Sequence, residues 1–262
     1  MSDLLFEVDD SVALLTLNRP DARNALSMEM RQMLKETLHE IESDPTVRCV
    51  LVRGTGEHFM AGGDIKGFQE ALARPKGSGY WMLRIHDIQP VLFAMRRMPK
   101  PIVAQVSGAA AGAGVSLAAA CDLIIAADDS FFTLAYSHLG VSPDWGASYH
   151  LPRAMGIKRA MQMALLGERI DARRMFEWGL VNYVVPARNL EEEGLKLARR
   201  LADGPTRAYG NAKRLMYESQ QRELETQLEA EAQAFADSAK SPDFREGVEA
   251  FLGRRRPDFK GI

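Results

Sequence analysis

The stretch that decides the fold runs from Ala104 to Asp122 and reads AQVSGAAAGAGVSLAAACD. It begins in an apolar run that predicts a buried strand, and from Ala113 onward its alanines and Leu117 predict a helix. Between strand and helix stand almost only Gly, Ala and Ser, which let the backbone turn tightly and let another group approach main-chain N–H groups. A helix start carries unpaired N–H donors. The junction therefore predicts either a tightly packed joint or a site for an anion or a developing oxyanion.

Composition and charge describe an ordinary globular protein. The 262-residue chain has 46% hydrophobic and 26% charged residues, and its net charge of −2 provides no general attraction to nucleic acid or to an acidic membrane surface. Cys49 and Cys121 stand in apolar segments, so we expect buried thiols in a reducing compartment. The five histidines show no metal-ligand spacing, so we expect no metal site. The chain has no signal-peptide pattern and no membrane-spanning apolar run, which predicts a cytoplasmic protein without a membrane partner.

A second junction of the same kind lies earlier in the chain. A buried strand predicted over Cys49–Val52 runs into a Gly-rich turn at 54–63, and Asp64 is the expected N-cap of the helix that follows. Before it, Val12–Leu17 predicts a strand, and the apolar spacing after Ser27 predicts a capped helix. The first two-thirds of the chain thus follow a loose strand–turn–strand–helix rhythm, which favours an α/β fold.

The later part of the chain is predicted to be mostly helical. A surface loop is expected over 72–79, followed by one long helix over 80–98 with a bend at a proline. A charged helix is expected over 208–240, and its alternating charges are typical of a helix that packs against another subunit. We therefore divide the chain into a core over 1–200 and a helical oligomerisation region over 201–262.

Taken in order, the motifs of this chain resemble those of the crotonase superfamily, also called the enoyl-CoA hydratase/isomerase family. The resemblance covers essentially the whole chain, and it rests on the ordered set because each motif alone is weak. The motifs are Leu17-Asn18-Arg19-Pro20, Asn24-Ala25-Leu26, Phe59 to Lys66, Lys100 to Gly114, Cys121-Asp122-Leu123, Leu151-Pro152-Arg153, Gly179-Leu180-Val181 and Phe251 to Phe259.

The resemblance implies a crotonase-like superhelix of stacked ββα units with a C-terminal α-helical trimerisation region. It also implies a homotrimer or dimer of trimers that binds an acyl-CoA thioester, with no cofactor beyond the coenzyme A of the substrate. Matching the motifs places the thioester carbonyl between the backbone N–H groups of Gly63 and Ala113. Both residues fall at turn–helix junctions with small side chains, which agrees with an oxyanion site. Ala113 stands where the family usually has glycine, which a backbone donor tolerates if φ stays negative.

Two further groups of residues are carried over by position. The acyl pocket is expected to include Ala61, Ser116, Tyr136, His138 and Trp145. The CoA moiety is expected to contact Arg23, Asp64, Ile65, Lys66, Phe251 and Arg255. Of these, Arg255 is expected to pair with the CoA phosphates.

The chain departs from the pattern of the typical hydratases in this family. Those enzymes carry two glutamates, and the matching positions here hold Ser116 and Tyr136. A carboxylate appears eight residues after Tyr136, at Asp144, where isomerases of the superfamily, including dienoyl-CoA and aromatic-pathway types, use an acidic residue to carry a proton between carbons. One carboxylate beside an oxyanion site is sufficient for that transfer. The pattern favours enoyl-CoA double-bond isomerisation, with Asp144, Gly63 and Ala113 as the catalytic groups.

Three other interpretations stay open at this point. Hydration remains an alternative, although the two-glutamate activation of water is missing. Nucleophilic hydrolysis or dehalogenation would also use Asp144, but it requires a basic histidine, and His86 does not fall at the matching position. A CoA-binding paralogue without catalysis would have Asp144 pointing away from Gly63 and Ala113. Outside the family context, Asp144 is a turn residue that caps the next segment.

Overall fold

The computed structural model describes residues 2–73 and 77–262, and within these the strands form two sheets. In chain order the strands are β1 (Leu4–Asp9), β2 (Val12–Leu17), β3 (Cys49–Gly54), β4 (Ile102–Val106), β5 (Ala109–Ala111), β6 (Leu123–Ala127), β7 (Phe131–Thr133), β8 (Ile170–Asp171) and β9 (Tyr183–Val185). The larger sheet has the order β1-β2-β3-β4-β6-β9, and the smaller sheet has the order β5-β7-β8. In the larger sheet β1 and β2 form an antiparallel hairpin, and the remaining pairs are parallel.

Helices connect and cover these strands. They are α1 (Met28–Ser43), α2 (Ile65–Leu72), α3 (Ser78–His86), α4 (Gln89–Arg97), α5 (Ala113–Ala120), α6 (Ala147–Met155), α7 (Ile157–Leu166), α8 (Ala172–Glu177), α9 (Leu190–Ala202), α10 (Thr206–Ser219), α11 (Leu224–Ser238) and α12 (Pro242–Leu252). The α/β fold is therefore confirmed, with parallel strands joined by helical crossovers and the last four helices following the sheet strands.

Local sequence signals explain the elements around the two Gly-rich junctions. Ser27 caps α1 by accepting a hydrogen bond from the Met30 amide at 2.9 Å, as predicted. Asp64 caps α2 by accepting from the amides of Lys66 and Gly67, also as predicted. All eight residues of α5 are buried, which agrees with its lack of any polar face. Each junction thus places the start of a helix beside the end of a buried strand.

The prediction of one long helix over 80–98 is wrong, because the structure has two helices there. α3 ends at His86 and α4 begins at Gln89, with Pro90 in the first turn of α4. A proline at this position lacks the N–H that a continuous helix would need for the bond back to the preceding turn, whereas it is well tolerated in a first turn. The loop predicted over 72–79 falls partly on residues 74–76, outside the described residues; Leu72 ends α2 and Ser78 begins α3.

The prediction of a single charged helix over 208–240 is also wrong. The segment forms α10 and α11, which pack against each other with Asn211 Nδ2 donating to Asp237 at 3.1 Å and to Ser238 at 3.0 Å. No glycine or proline marks the turn between them, so the break depends on tertiary packing. α6, which contains Pro152 in its interior, was not predicted from the sequence, and neither were the short strands β1, β5, β8 and β9.

The C-terminal helices expose several large apolar side chains. These include Met216, Leu224, Leu228, Phe235, Val248, Phe251 and Leu252. Such a surface fits the expected subunit contact, and the trimer, like the boundary between a core over 1–200 and a region over 201–262, stays a prediction. In the described part of the chain, no helix is both long enough and apolar enough to span a membrane. Cys49 and Cys121 are free and buried, as expected.

Candidate active site

The two Gly-rich junctions meet at one place in the fold. The Met60 amide donates to the Ala109 carbonyl at 3.1 Å, and the Ala111 amide donates to the Met60 carbonyl at 2.8 Å. Gly62 has φ +93°, and a side chain there would be strained, with its Cβ 3.1 Å from the Ala111 carbonyl oxygen. The same Cβ position lies 3.8 Å from the Ala113 nitrogen. The start of α2 and the start of α5 therefore lie side by side.

Two backbone N–H groups at this meeting point are free to bind a ligand. In the described part of the chain, neither the Gly63 amide nor the Ala113 amide donates a hydrogen bond to a protein acceptor. Ala113 is the first residue of α5, where the N–H has no intrahelical partner. Two such donors at adjacent turn–helix junctions can hold an anionic oxygen, since both carry the positive end of the local dipoles. The structure brings together the two residues that the motifs selected.

A polar cluster of Ser116, Tyr136 and Asp144 lies beside these amides. The Tyr136 hydroxyl donates to Asp144 Oδ1 at 2.5 Å, and Ser116 Oγ donates to the Asp144 main-chain oxygen at 3.1 Å. Tyr136 Cζ lies 3.8 Å from the position of a Cβ on Gly112, the residue before Ala113. Asp144 is thus held next to the start of α5, and its second carboxylate oxygen is not used by these contacts.

Burial sets the protonation of this cluster. Burial raises the pKa of Asp144, while the hydrogen bond from Tyr136 and the charge of Arg31 oppose that rise. Burial and the Asp144 charge also raise the pKa of Tyr136. Because burial raises the pKa of Tyr136, the tyrosine stays a phenol, and the carboxyl group of Asp144 is the member of the pair that gains and loses a proton. A carboxyl group with a raised pKa is suited to taking up and returning a proton.

Backbone strain surrounds the same two residues. Ala135, immediately before Tyr136, has φ +37°, and Trp145, immediately after Asp144, has φ +54°. Residues other than glycine rarely adopt this conformation, and such strain persists only where surrounding structure enforces it. The Trp145 side chain is buried and anchors its segment in the core. The backbone conformations of Ala135 and Trp145 help to fix the orientations of the Tyr136 and Asp144 side chains.

Ala61 and His138, two further residues expected in the pocket, lie in different parts of the fold. The Ala61 amide donates to the Arg23 carbonyl at 2.9 Å, which places both residues at the turn before α2. His138 is exposed, and its Nε2 lies 2.8 Å from the position of a Cβ on Gly167, so it packs toward the start of the segment after α7. A role for His138 in the pocket stays a prediction that its placement does not favour.

The expected CoA residues fall into two separate groups. Arg23, Ile65 and Lys66 are exposed around the start of α2, whereas Asp64 caps that helix and pairs with Arg19 at 3.0 Å. Burial opposes ionisation of Asp64, but Arg19 and the capped amides together lower its pKa. Asp64 therefore has a structural role here whether or not it also contacts a ligand.

The second group lies on the C-terminal segment. Phe251 is exposed on α12. Arg255 follows the end of that helix, and its Nη1 and Nη2 donate to the carboxylate of Glu246 on α12 at 2.5 and 2.8 Å. Among the described residues, no hydrogen bond or ion pair joins Phe251 or Arg255 to Arg23 or Lys66. Any contact of Phe251 or Arg255 with CoA stays a prediction.

Two arginines and one aromatic residue near the site were not predicted from the sequence. Arg31 is buried on α1, and Arg84 on α3 lies over the ring of Phe68 at 5.1 Å. Phe68 Cζ in turn lies 3.1 Å from the position of a Cβ on Gly63. A charged residue directly beside Met30, in the apolar stripe of α1, was the available signal for Arg31.

Acid should destabilise the segment that carries the site, through His150 on α6. Burial, with the charges of Arg96 and Arg153, lowers the pKa of His150 from 6.5 to about 4. The unfolded chain therefore binds a proton that the folded chain excludes, so stability falls as the pH drops below the unfolded value. We expect the free energy of unfolding to fall by about 2 kcal/mol through this residue between pH 7.5 and pH 5, measured by urea denaturation.

The control for this prediction is a second histidine. His150→Gln should remove most of that pH dependence, whereas His39→Gln, at an exposed position of α1, should retain it. An unchanged pH dependence in His150→Gln would contradict the assignment of the proton uptake to His150.

Comparison with known proteins agrees with this geometry. The model of the enoyl-CoA hydratase/isomerase family matches residues 7–262. A 1,2-epoxyphenylacetyl-CoA isomerase from Escherichia coli (strain K12) is 38% identical over 262 residues, covering 100% of this chain and 99% of the relative. A probable enoyl-CoA hydratase from Rhodobacter capsulatus is 37% identical over 257 residues, covering 98% of this chain and 97% of the relative. The crystal structure of an enoyl-CoA hydratase from Polaromonas sp. JS666 superposes with a TM-score of 0.93 at 35% identity, covering 98% of this chain and 99% of that chain.

The fold and the paired amides define a crotonase-type protein with a site suited to an anionic oxygen. The matches extend over essentially the whole chain, and they include both isomerases and hydratases. The chain therefore belongs to the enoyl-CoA hydratase/isomerase family and is an enzyme of that family.

Proposed function

We propose that this enzyme shifts the double bond of an enoyl-CoA thioester through an enolate intermediate. The observation that carries the proposal is a half-buried carboxyl group, Asp144, held by Tyr136 beside the two free amides of Gly63 and Ala113. An acyl-CoA substrate is consistent with the family.

The proposed reaction moves one proton and no other atom. Ionised Asp144 removes a proton from a carbon of the enoyl chain, and the electron pair moves through the conjugated system onto the thioester oxygen. The Gly63 and Ala113 amides donate to that oxygen and stabilise its charge. Asp144 then returns the proton to a different carbon, so the double bond moves and the carboxylate is regenerated.

The absence of carboxylates at two motif positions supports isomerisation over hydration. Ser116 and Tyr136 occupy the places where typical hydratases of the family carry glutamates. A serine and a tyrosine whose pKa is raised by burial are poor bases for activating water. Asp144 alone fits a reaction in which the same group removes and returns the proton.

Nucleophilic use of Asp144 has less support. That chemistry needs a base to activate water for release of the covalent ester, and the histidine on the preceding helical segment, His86, is exposed at the end of α3. The 2.5 Å hydrogen bond from Tyr136 also occupies one oxygen of Asp144 and reduces its nucleophilicity.

For the CoA moiety we propose the exposed face around the start of α2. Arg23 and Lys66 there can neutralise phosphate groups, and Ile65 offers an exposed apolar side chain. Subunit assembly into a trimer or a dimer of trimers is part of the same proposal, with the exposed apolar side chains of α10–α12 as the contact surface.

The proposal is tested with short 3-enoyl-CoA and 2-enoyl-CoA esters in deuterated buffer. We expect interconversion of the two esters and incorporation of deuterium at the α- and γ-carbons. NMR and mass spectrometry measure both. Formation of 3-hydroxyacyl-CoA as the main product would establish a hydratase instead. Release of free CoA would establish a hydrolase, and binding without exchange would indicate a non-catalytic paralogue.

Removal of one oxyanion donor should reduce catalysis without unfolding the protein. Ala113→Pro deletes the Ala113 N–H at the first position of α5, where proline is well tolerated in a helix. We expect kcat to fall by about 10²- to 10³-fold, since this is the typical effect of losing one oxyanion donor. The measurement is the isomerisation rate at saturating substrate.

The matched control is Met28→Pro, which introduces proline at the first position of α1, at an exposed side chain. It should leave kcat unchanged. A full rate in a folded Ala113→Pro variant would remove the Ala113 amide from the mechanism.

A further inference from the structure

Two arginines beside the Asp144 cluster have guanidinium groups that the fold does not fully use. Arg31 is only 2% exposed, and its Nη1 donates to the Arg84 carbonyl at 2.8 Å. Within the described residues, Nε of Arg31 and Nε of Arg84 are both buried without a hydrogen-bond partner. A guanidinium has five N–H donors in a fixed fork, so one carbonyl satisfies only part of Arg31.

The structural role of Arg31 does not account for its deep burial. The Arg84 carbonyl lies in the last turn of α3, where carbonyls lack helical partners and attract cations. Lys35, one turn along α1, serves the same helix end by pairing with Asp87 at 2.8 Å from a more exposed position. Closing the end of α3 therefore does not require a second, fully buried cation.

The charge balance of this cluster favours an added anion. Burial and the neighbouring Arg84 charge both lower the pKa of Arg31, while Asp144, Asp87 and Tyr80 oppose them. Asp87 is already paired with Lys35, and Asp144 is hydrogen-bonded to Tyr136. Two guanidinium groups in a low-dielectric region repel each other, and a carboxylate between them would relieve both the repulsion and the missing hydrogen bonds.

The position of the pair relates it to the acyl part of the substrate. Arg84 lies over Phe68, which packs against Gly63 at the oxyanion site. Arg31 is close enough to Asp144 for each charge to affect the pKa of the other. Arg84 thus adjoins the oxyanion site through Phe68 and packs against Gly67 of α2, 3.4 Å from the position of a Cβ there, while Arg31 adjoins the proton-transfer group.

Resting on the proposed function, we propose that Arg31, assisted by Arg84, binds a carboxylate at the far end of the acyl chain. The substrate class is then the CoA thioesters of unsaturated dicarboxylic acids, with Arg31 as the main specificity-determining residue. A bidentate pairing with the Arg31 fork orients the chain so that its reacting carbons lie against Asp144.

The test measures binding rather than turnover, so that it does not depend on the isomerase reaction. Isothermal titration compares the saturated CoA esters of a six-carbon dicarboxylic acid and a six-carbon monocarboxylic acid. Wild type should bind the carboxylate-ended ester more tightly. Arg31→Met should weaken that binding by roughly 10- to 100-fold, as expected for a charged hydrogen bond, while the methyl-ended ester changes by less than about threefold.

Two further variants make the result specific. Lys35→Met removes a cation from the same helix and the same end of α3, and it should leave the preference for the carboxylate unchanged. Arg84→Met, at a less buried position, should weaken binding of the carboxylate-ended ester and serves as the second variant if Arg31→Met does not fold. Equal binding of the two esters by wild type would overturn the proposal, as would an equal loss for both esters in Arg31→Met.

The outcome is separable from that of the isomerase test. Selective binding of the dicarboxylic ester without any isomerisation would overturn the proposed reaction and leave the anion subsite standing. Isomerisation of methyl-ended esters with no preference for a carboxylate would do the reverse.

Discussion

Asp144→Asn should lower the rate of enoyl-CoA isomerisation by about 10²- to 10⁴-fold, the usual range for loss of a positioned general acid–base group. Asparagine has nearly the same shape as aspartate, and its carbonyl oxygen can still accept the hydrogen bond from Tyr136. It cannot take a proton from carbon. The loss should therefore appear in kcat and in deuterium exchange, with little change in the binding of a saturated acyl-CoA.

Tyr136→Phe distinguishes the carboxyl group from its surroundings. This change keeps Asp144 but removes the hydrogen bond that stabilises its ionised form. The pKa of Asp144 should rise further, so the acid limb of the pH profile of kcat/KM should move to higher pH. In Asp144→Asn that limb should disappear together with most of the activity.

The control for Asp144→Asn is Asp171→Asn, which alters a carboxylate that caps α8 by accepting from the Arg174 amide. Asparagine is also a good N-cap, so both folding and rate should be retained. Wild-type exchange in Asp144→Asn would exclude Asp144 as the proton carrier and direct attention to Tyr136.

Lys213→Met should have the largest effect on stability, about 3–5 kcal/mol in the free energy of unfolding, because it breaks a buried ion pair by removing one partner. Lys213 Nζ lies 2.8 Å from Asp122 Oδ2, and the two side chains are only 8% and 18% exposed. Asp122 also accepts from the Ile102 amide at 2.8 Å and from the Tyr217 hydroxyl at 3.2 Å. The pair thus joins α10 to the start of β4, and the variant leaves the carboxylate buried without a cation.

The pH dependence of this loss has a definite sign. Burial raises the pKa of Asp122, and Lys213 opposes that rise. Without Lys213 the pKa of Asp122 should move further above its unfolded value. Protonation then favours the folded state, so the destabilisation should be smaller at pH 5 than at pH 7.5. Urea denaturation at the two pH values measures this difference.

Two variants test the explanation. Lys196→Met removes an exposed lysine of α9 that pairs with Glu193 of α9. It should lower the free energy of unfolding by well under about 1 kcal/mol. Asp122→Asn combined with Lys213→Met removes the uncompensated charge and should recover part of the loss. A loss below about 1 kcal/mol in Lys213→Met alone would contradict the assigned role of the pair.

The elements with strong local signals were predicted well from the sequence. β2 spans Val12–Leu17 in the structure, with the predicted bounds, and β3 begins at Cys49, as predicted. The caps Ser27 and Asp64 also act as expected. In each case the apolar period or the capping residue acts within a few neighbouring positions, so the local sequence carries the information.

The errors fall where packing outweighs local preference. α10 and α11 were predicted as one helix because no proline or glycine separates them, and contacts across the pair, such as those of Asn211, form only in the folded chain. α6 was missed because Pro152 in its interior argues against a helix. Short strands such as β5 gain their hydrogen bonds from distant partners, here β7, which a local pattern does not show.

The sequence by itself determined the family, the α/β class and the two Gly-rich junctions that carry Gly63 and Ala113, because these depend on short motifs and on the backbone freedom of small residues. Only the tertiary structure decided that Tyr136 bonds to Asp144, that the two amides lie side by side without partners, and that Arg31 meets Arg84 across 53 residues of chain. Side chains that far apart in sequence interact only after the strands and helices have packed. The pKa of Asp144 then depends on burial, on Tyr136 and on the charge of Arg31, which come together only in the folded chain.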